Sequence, residues 1–248
     1  MAKGDFCFYA ELNDFLPPKR RQITITHLFE ERASIKDTIE SLGVPHPEVD
    51  LILVNGKSVD FSYILADSDR IQVYPVSAAD ENAAIISLVR PQPLNVFLFV
   101  LDIHLGKLAT SLRMLGFDTL YRNDYDDEEL AKISSAEERI LLTRDKGLLM
   151  RSLVTYGYYV RDTNPERQIV EVLRRFNLFE RVSPLQRCLR CNGLLKPVAK
   201  ETIIDQLPHN TALQINEFHR CTECSQIYWK GAHYERMQQF IEGVLSSG

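Results

Sequence analysis

The stretch NVFLFVLDIHLGKL, residues 95–108, decides the fold. Val96 to Leu101 is an unbroken apolar run, short enough for a strand and apolar enough to be buried on both faces. It stops at Asp102, and the segment GKLATSLRMLG then sets Leu108, Leu112 and Leu115 on one helical face. A doubly buried strand running into an amphipathic helix is one βα unit. The puzzle is the carboxylate at the point where the strand leaves the core.

Three more units follow. FDTLYR leads through NDYDD to EELAKISSAEE, RILLT leads to DKGLLMRSLV, and YGYYVR leads to NPERQIVEVLRRF. In the last, Asn164 is placed to cap the helix and Pro165 to occupy its first position. Four βα units in succession predict an α/β domain with a parallel sheet covered by helices.

Each unit carries an acid just beyond its strand. Asp102 follows the first. Asp124, Asp126 and Asp127 follow the second, with Glu128 and Glu129 opening the helix. Asp145 follows the third and Asp162 the fourth. Parallel strands bring their carboxyl ends to one edge, where open α/β sheets bind ligands. Gathered carboxylates repel one another unless something compensates. Hard oxygen ligands suit Mg²⁺ or Mn²⁺, which activate water and stabilise charge on a phosphodiester.

A plainer reason competes at each position. Acids in a first helical turn offset the helix dipole by about 0.3–1 kcal/mol each, which serves Glu128 and Glu129 and competes at Asp162. Turn formation competes at Asp124 and Asp126. Asp102 and Asp145 directly follow apolar strands, where an unpaired charge is costly, so chemistry outweighs the plain reading there. The expected catalytic set is Asp102, Asp127 and Asp145, with Asp124, Glu128 and Asp162 as further candidates. Lys107, Arg113, Arg144 and Lys146 flank the same edge as expected phosphate contacts.

CLRC at 188–191 and CTEC at 221–224 form two C-x₂-C pairs separated by 29 residues. Such pairs in a chain without secretory features read as a structural Cys₄ zinc site of Cys188, Cys191, Cys221 and Cys224. Disulfides and an iron site are the competing readings. Beyond the second pair, QIYWKGAHYERM mixes aromatic and basic side chains. Trp229 and Lys230 are expected to stack on and pair with RNA, against a core role for Trp229.

The first part of the chain is a separate unit. Two strands, FCFYAEL and RQITITHLF, precede a short helix capped by Ser34 and stopped at Gly43; LILVNG and RIQVYPV are two further strands, with Asn55-Gly56 as a hairpin turn. The order β-β-α-β-β resembles the ubiquitin-like β-grasp. The unit runs on into SAADENAAI rather than ending in Gly-Gly, which favours an interaction role over a carrier role.

The expected division is a ubiquitin-like domain at 1–78, a linker at 79–94, a parallel-sheet α/β domain at 95–183, and a zinc ribbon with a C-terminal helix at 184–248. The 248 residues carry a formal net charge of −5, which argues against non-specific binding of polyanions by the whole chain. No apolar run reaches membrane-spanning length and the start is unlike a signal peptide, so a cytoplasmic protein without membrane partners is expected.

LDIHLGKLATSLRMLGFDT, ILLTRDKGLL, RCLRCNG and IYWKGAHYERM together resemble the Mut-seven C-terminal ribonuclease domain family over roughly 95–238. ELNDFL, ESLGVPHPEVD and RIQVYP resemble the ubiquitin-like domain often fused ahead of it. The resemblance implies a PIN-like nuclease followed by a zinc ribbon, and cleavage of single-stranded or structured RNA by acids with a divalent metal. Asp102, Asp145 and Asp127 match its acidic positions. The competing function is a non-catalytic RNA-binding adaptor on a degenerate nuclease fold, with the ubiquitin-like domain docking a protein partner.

Overall fold

A computed structural model describes residues 1–29, 32–76 and 85–248. In chain order, the N-terminal part contains β1 (Ala2–Phe8), β2 (Ile25–Phe29), α1 (Ile35–Ser41), β3 (Leu51–Val54), β4 (Lys57–Ser58) and β5 (Asp69–Tyr74). The central part contains β6 (Leu98–Leu101), α2 (Gly106–Met114), β7 (Asp118–Leu120), α3 (Asp127–Ala136), β8 (Ile140–Thr143), α4 (Lys146–Leu149), β9 (Gly157–Tyr159) and α5 (Pro165–Arg175). The C-terminal part contains β10 (Leu195–Val198), α6 (His209–Gln214), β11 (Phe218–Cys221), β12 (Ile227–Trp229) and α7 (Ala232–Leu245). No helix among the described residues is long and apolar enough to cross a membrane.

The N-terminal sheet is mixed, in the order β2-β1-β5-β3-β4, with β1 and β5 parallel and the other pairs antiparallel. The Ser34 hydroxyl accepts from the Asp37 amide, as the capping pattern requires. Ile35 and Ile39 of α1 are buried among Phe6, Ile52, Ile71 and Val73. The first strand begins and ends earlier than the sequence pattern implied. Asn13 donates to the Phe8 and Ala10 carbonyls and accepts from the Gln22 amide, so Ala10–Phe15 coils into a 3₁₀ turn instead of extending the strand. Residues 79–84 of the expected linker lie outside the described residues. Its later part packs on this domain: Arg90 grips the buried carboxylate of Asp50, and Val89 joins the core.

The central sheet is all parallel, in the order β7-β6-β8-β9. Its middle strands are the apolar runs noted above: Phe99, Val100, Leu101, Leu141 and Leu142 are fully buried. DKGLLMRSLV is helical only over Lys146–Leu149. The ribbon sheet is antiparallel, in the order β10-β11-β12.

By contacts the chain forms two compact units that interleave along the sequence: 1–95 with 127–159, and 96–126 with 160–248. In the first, the ubiquitin-like domain is joined to β9 and its neighbours. β9 is an edge strand, and the Tyr159 amide donates to Glu48 Oε1 at 2.6 Å. Glu48 is 2% exposed, so a buried carboxylate satisfies an edge amide that no strand reaches. His46 Nε2 lies 2.8 Å from the Val154 carbonyl, with Glu40 Oε1 2.6 Å from Nδ1. Phe15 packs edge-on against Tyr159, and Lys146 Nζ donates to the Phe15 carbonyl.

In the second unit, α2 packs on β7 and α5. Asn164 caps α5 by accepting from the Glu166 amide, with Pro165 at the first helical position. The chain leaving α5 returns to the end of α2, where the Ser183 and Leu185 amides donate to the Leu115 and Met114 carbonyls. That return leads directly into the cysteine knuckle.

Candidate metal centre and acidic sheet edge

The four cysteines come from two tight turns, one ahead of β10 and one between β11 and β12. The Cys188 amide donates to the Gly193 carbonyl and the Asn192 amide to the Cys188 carbonyl, which curls the first turn. A Cβ on Gly193 would lie 2.8 Å from the Cys221 sulfur, so glycine lets the two knuckles close. All four sulfurs lie within 4.8 Å of one another, with Cys188–Cys224 at 3.6 Å and Cys191–Cys221 at 3.4 Å. None is in a disulfide. A tetrahedron with Zn–S bonds of about 2.3 Å has S···S edges of about 3.8 Å, so the donor set and its spacing fit zinc. Four thiolates leave no open position, which makes such a site structural.

Burial pushes the Cys188 thiol up, but hydrogen bonds from Tyr228, from the Cys191 and Arg190 amides and from Cys224 outweigh it and bring it to about 7. Burial pushes the Cys191 thiol up to about 12. Tyr228 belongs to the mixed aromatic and basic segment QIYWKGAHYERM. Its hydroxyl lies 3.1 Å from Cys188 Sγ and accepts from the Leu189 amide at 3.0 Å. Nothing in the QIYWKG pattern distinguishes a stacking tyrosine from one turned toward sulfur.

The acids fall into distinct environments. Asp102 follows β6, is 6% exposed, and opens a 3₁₀ turn in which its carbonyl accepts from the Leu105 amide. Tyr121, just past β7, donates to the Ile103 carbonyl and closes over Gly106, where a Cβ would lie 2.7 Å from its hydroxyl oxygen. The turn after Asp102 is therefore held by a phenol that only glycine admits.

Asp145 caps α4. One carboxylate oxygen accepts from the Gly147 and Leu148 amides at 2.7 and 3.3 Å. The other makes no hydrogen bond among the described residues and the residue is exposed. Asp127 opens α3 with its side chain 52% exposed and 3.9 Å from Arg151.

The remaining candidates have structural partners. Asp124 is exposed and gripped by Arg122 through two hydrogen bonds, which lower its pKa. Glu128 pairs with Lys132 one turn along α3. Asp162 accepts from the Asn164 amide in the turn into α5. Among the described residues, the cysteines form the one group of three or more potential ligand side chains converging on a point.

The basic candidates also divide. Lys107 is exposed and Arg144 half-buried. Lys146 reaches the Phe15 carbonyl, and Lys230 pairs with Glu217 at 2.9 Å. Trp229 is half-buried against Phe218, with ring centroids 6.3 Å apart. Arg113, expected as a phosphate contact, is 4% exposed. Its guanidinium donates to the Thr119, Leu189 and Arg190 carbonyls inside the protein, so burial withdraws it from the surface set. Its position on the buried side of α2, one residue after Leu112, was the available signal.

Comparison with known proteins matches the chain in two consecutive segments. Residues 1–81 match the Mut7-C ubiquitin family model, and residues 98–241 match the Mut7-C RNAse domain model. No curated protein matches. Among solved structures, the small archaeal modifier protein 1 of H. volcanii is similar over 30% of this chain and 98% of its own, at 17% identity and a TM-score of 0.25. With more than half its length matched by the RNAse model, the chain belongs to the Mut7-C RNAse domain family, carrying the Mut7-C ubiquitin domain ahead of it.

Proposed function

We propose that the protein is a metal-dependent ribonuclease that hydrolyses RNA phosphodiester bonds at the carboxyl edge of its parallel sheet. The observation that carries this reading is Asp102: a buried carboxylate at the end of a central strand, in a segment matched by an RNAse family. Asp145 follows β8 and keeps one oxygen clear of its capping bonds. Mg²⁺ is held in many phosphoryl-transfer sites by one or two carboxylates, with waters and substrate phosphates completing the shell. Asp102 and Asp145 fit that pattern as direct ligands, with the exposed Asp127 able to act through water.

A bound Mg²⁺ or Mn²⁺ supplies Lewis acidity and a more acidic water. The chain supplies the rest. The Tyr121-braced turn fixes Asp102, and the α4 cap fixes Asp145. Lys107, Arg144, Lys146 and Lys230 are the cations proposed to position RNA phosphates, and Trp229 offers a partly exposed ring for a base. The ubiquitin-like domain is proposed to dock a protein partner on surfaces other than the one carrying Phe15, His46 and Glu48, which is occupied within the chain.

The second reading, a non-catalytic RNA-binding adaptor, draws on one observation: the converging ligand group among the described residues is sulfur, not carboxylate. Cleavage of single-stranded RNA with Mn²⁺ separates the two. The nuclease reading expects wild-type cleavage that Asp102→Asn lowers by roughly a hundredfold or more. Equal cleavage by both proteins, or RNA retention indifferent to divalent ions, supports the adaptor.

A further inference from the structure

Arg113 poses a problem of charge. It is buried, and its three hydrogen-bond acceptors are all backbone carbonyls. Among the described residues no carboxylate hydrogen-bonds to it, and the acid whose charge reaches it, Asp118, is already paired with Arg187. A buried cation satisfied only by neutral dipoles still lacks a counter-charge of its own, and such burial is costly.

The acceptors show where that charge lies. Leu189 and Arg190 are the two residues between Cys188 and Cys191, so the guanidinium sits against the outside of the first knuckle. Inside that knuckle, the Leu189 amide donates to the Tyr228 hydroxyl, which lies 3.1 Å from the Cys188 sulfur. A divalent ion held by four thiolates keeps two net negative charges. The peptide units of the knuckle thus lie between an anionic centre and Arg113, donating inward and accepting outward.

The same turn is fixed to β7 by a second set of bonds. Asn192 accepts from the Thr119 amide at 2.9 Å and donates to the Asp118 carboxylate at 2.9 Å. Arg187 pairs with the other oxygen of Asp118 at 3.0 Å and donates to the Asn192 carbonyl. Arg113 itself adds the Thr119 carbonyl at 2.9 Å. Both backbone groups of Thr119 are therefore engaged by this network, one by Asn192 and one by Arg113.

We propose that Arg113 is the counter-charge of the loaded metal–tetrathiolate centre, and that through it metal loading holds α2 and β7 in place. It is a positioning residue that touches the knuckle's backbone, not the ion. Loss of the ion leaves thiols that need not be charged, and Arg113 then keeps only the Asp118 carboxylate, which it shares with Arg187. The strain falls on α2, whose first residue lies four positions beyond Asp102. The inference stands on the zinc fit of the cysteines and is independent of the ribonuclease reading.

The test uses the full chain loaded with zinc. A chromogenic chelator is titrated against wild type, Arg113→Gln and Arg113→Lys, and the midpoint of zinc release is read. Gln keeps amide donors and loses the charge, whereas Lys keeps the charge and loses the fork. Partners of this kind change metal affinity by about tenfold or more, so Gln is expected to release zinc at roughly tenfold lower chelator, with Lys staying close to wild type. In parallel, hydrogen exchange of residues 106–120 in wild type is expected to accelerate when zinc is removed. Equal zinc affinities for Gln and Lys would overturn the charge role. Unchanged exchange in 106–120 after zinc removal would overturn the coupling, and that measurement needs no variant to fold.

Discussion

The cysteine knuckles gather potential metal ligands at one point, whereas the acids that follow the strands of the parallel sheet do not form such a group among the described residues. The sulfurs converge within 4.8 Å, shielded by Tyr228 and backed by a network of buried polar bonds. The acids stand apart in environment: Asp102 is buried, Asp145 is half-committed to a helix cap, and Asp124 and Asp127 are exposed. The contrast follows from what each metal asks of a chain. A structural zinc site takes all its ligands from protein, so the fold must preassemble them. Magnesium accepts water and substrate oxygen for most of its shell, so a nuclease edge needs only one or two carboxylates held at strand ends.

The largest test of this contrast is metal removal. Structural zinc sites carry about 10–16 kcal/mol of apparent binding free energy, and that energy is folding energy. Chelation is expected to abolish the ribbon's cooperative melting and expose residues 184–230 to protease. Washing out Mg²⁺ or Mn²⁺ is expected to leave the melting curve nearly unchanged. A chelated ribbon that melts as before would erase the distinction.

Asp145 offers a finer separation, because cap and ligand share one carboxylate. Asn caps helices as well as Asp does, while Ala costs about 1 kcal/mol. Asp145→Asn is expected to keep wild-type stability and lose metal-dependent cleavage. Asp145→Ala is expected to lose both, with the stability loss read by denaturant midpoint. Full activity in the Asn variant would remove Asp145 from the ligand set.

The smallest effect belongs to the exposed acids. The Arg122–Asp124 pair lies at the surface, where such pairs contribute about 0–1 kcal/mol. Asp124→Asn is expected to leave both the denaturant midpoint and the cleavage rate near wild type. A large loss of cleavage would show that the second βα loop feeds the edge through Asp124 rather than Asp127.

Much of this was legible in the chain itself. Apolar runs bounded by helical periodicity marked β6 and β8. Ser34, Asn164 and Pro165 stand where their capping chemistry put them, and two C-x₂-C pairs announced the thiolate centre. What pattern does not carry is the destination of a polar side chain over long sequence distances. Arg113 reaches knuckle carbonyls 76 and 77 residues away, and Glu48 meets an edge amide 111 residues away. A lone arginine on a helix or a glutamate after a proline has the same local signature whether it faces water or a buried backbone. The 3₁₀ turn at Ala10–Phe15 was hidden for a related reason, since the Asn13 bonds that end β1 form only once Phe8 and Gln22 are brought together.

Asp102 and Asp145 are proposed to bind a divalent ion. Crystals of the zinc-loaded protein soaked in Mn²⁺ test it most directly, through the anomalous signal of manganese. A peak bound by Asp102 and Asp145 is expected, absent in Asp102→Asn, with zinc retained at the four cysteines. Manganese absent from both carboxylates in well-ordered crystals would contradict it.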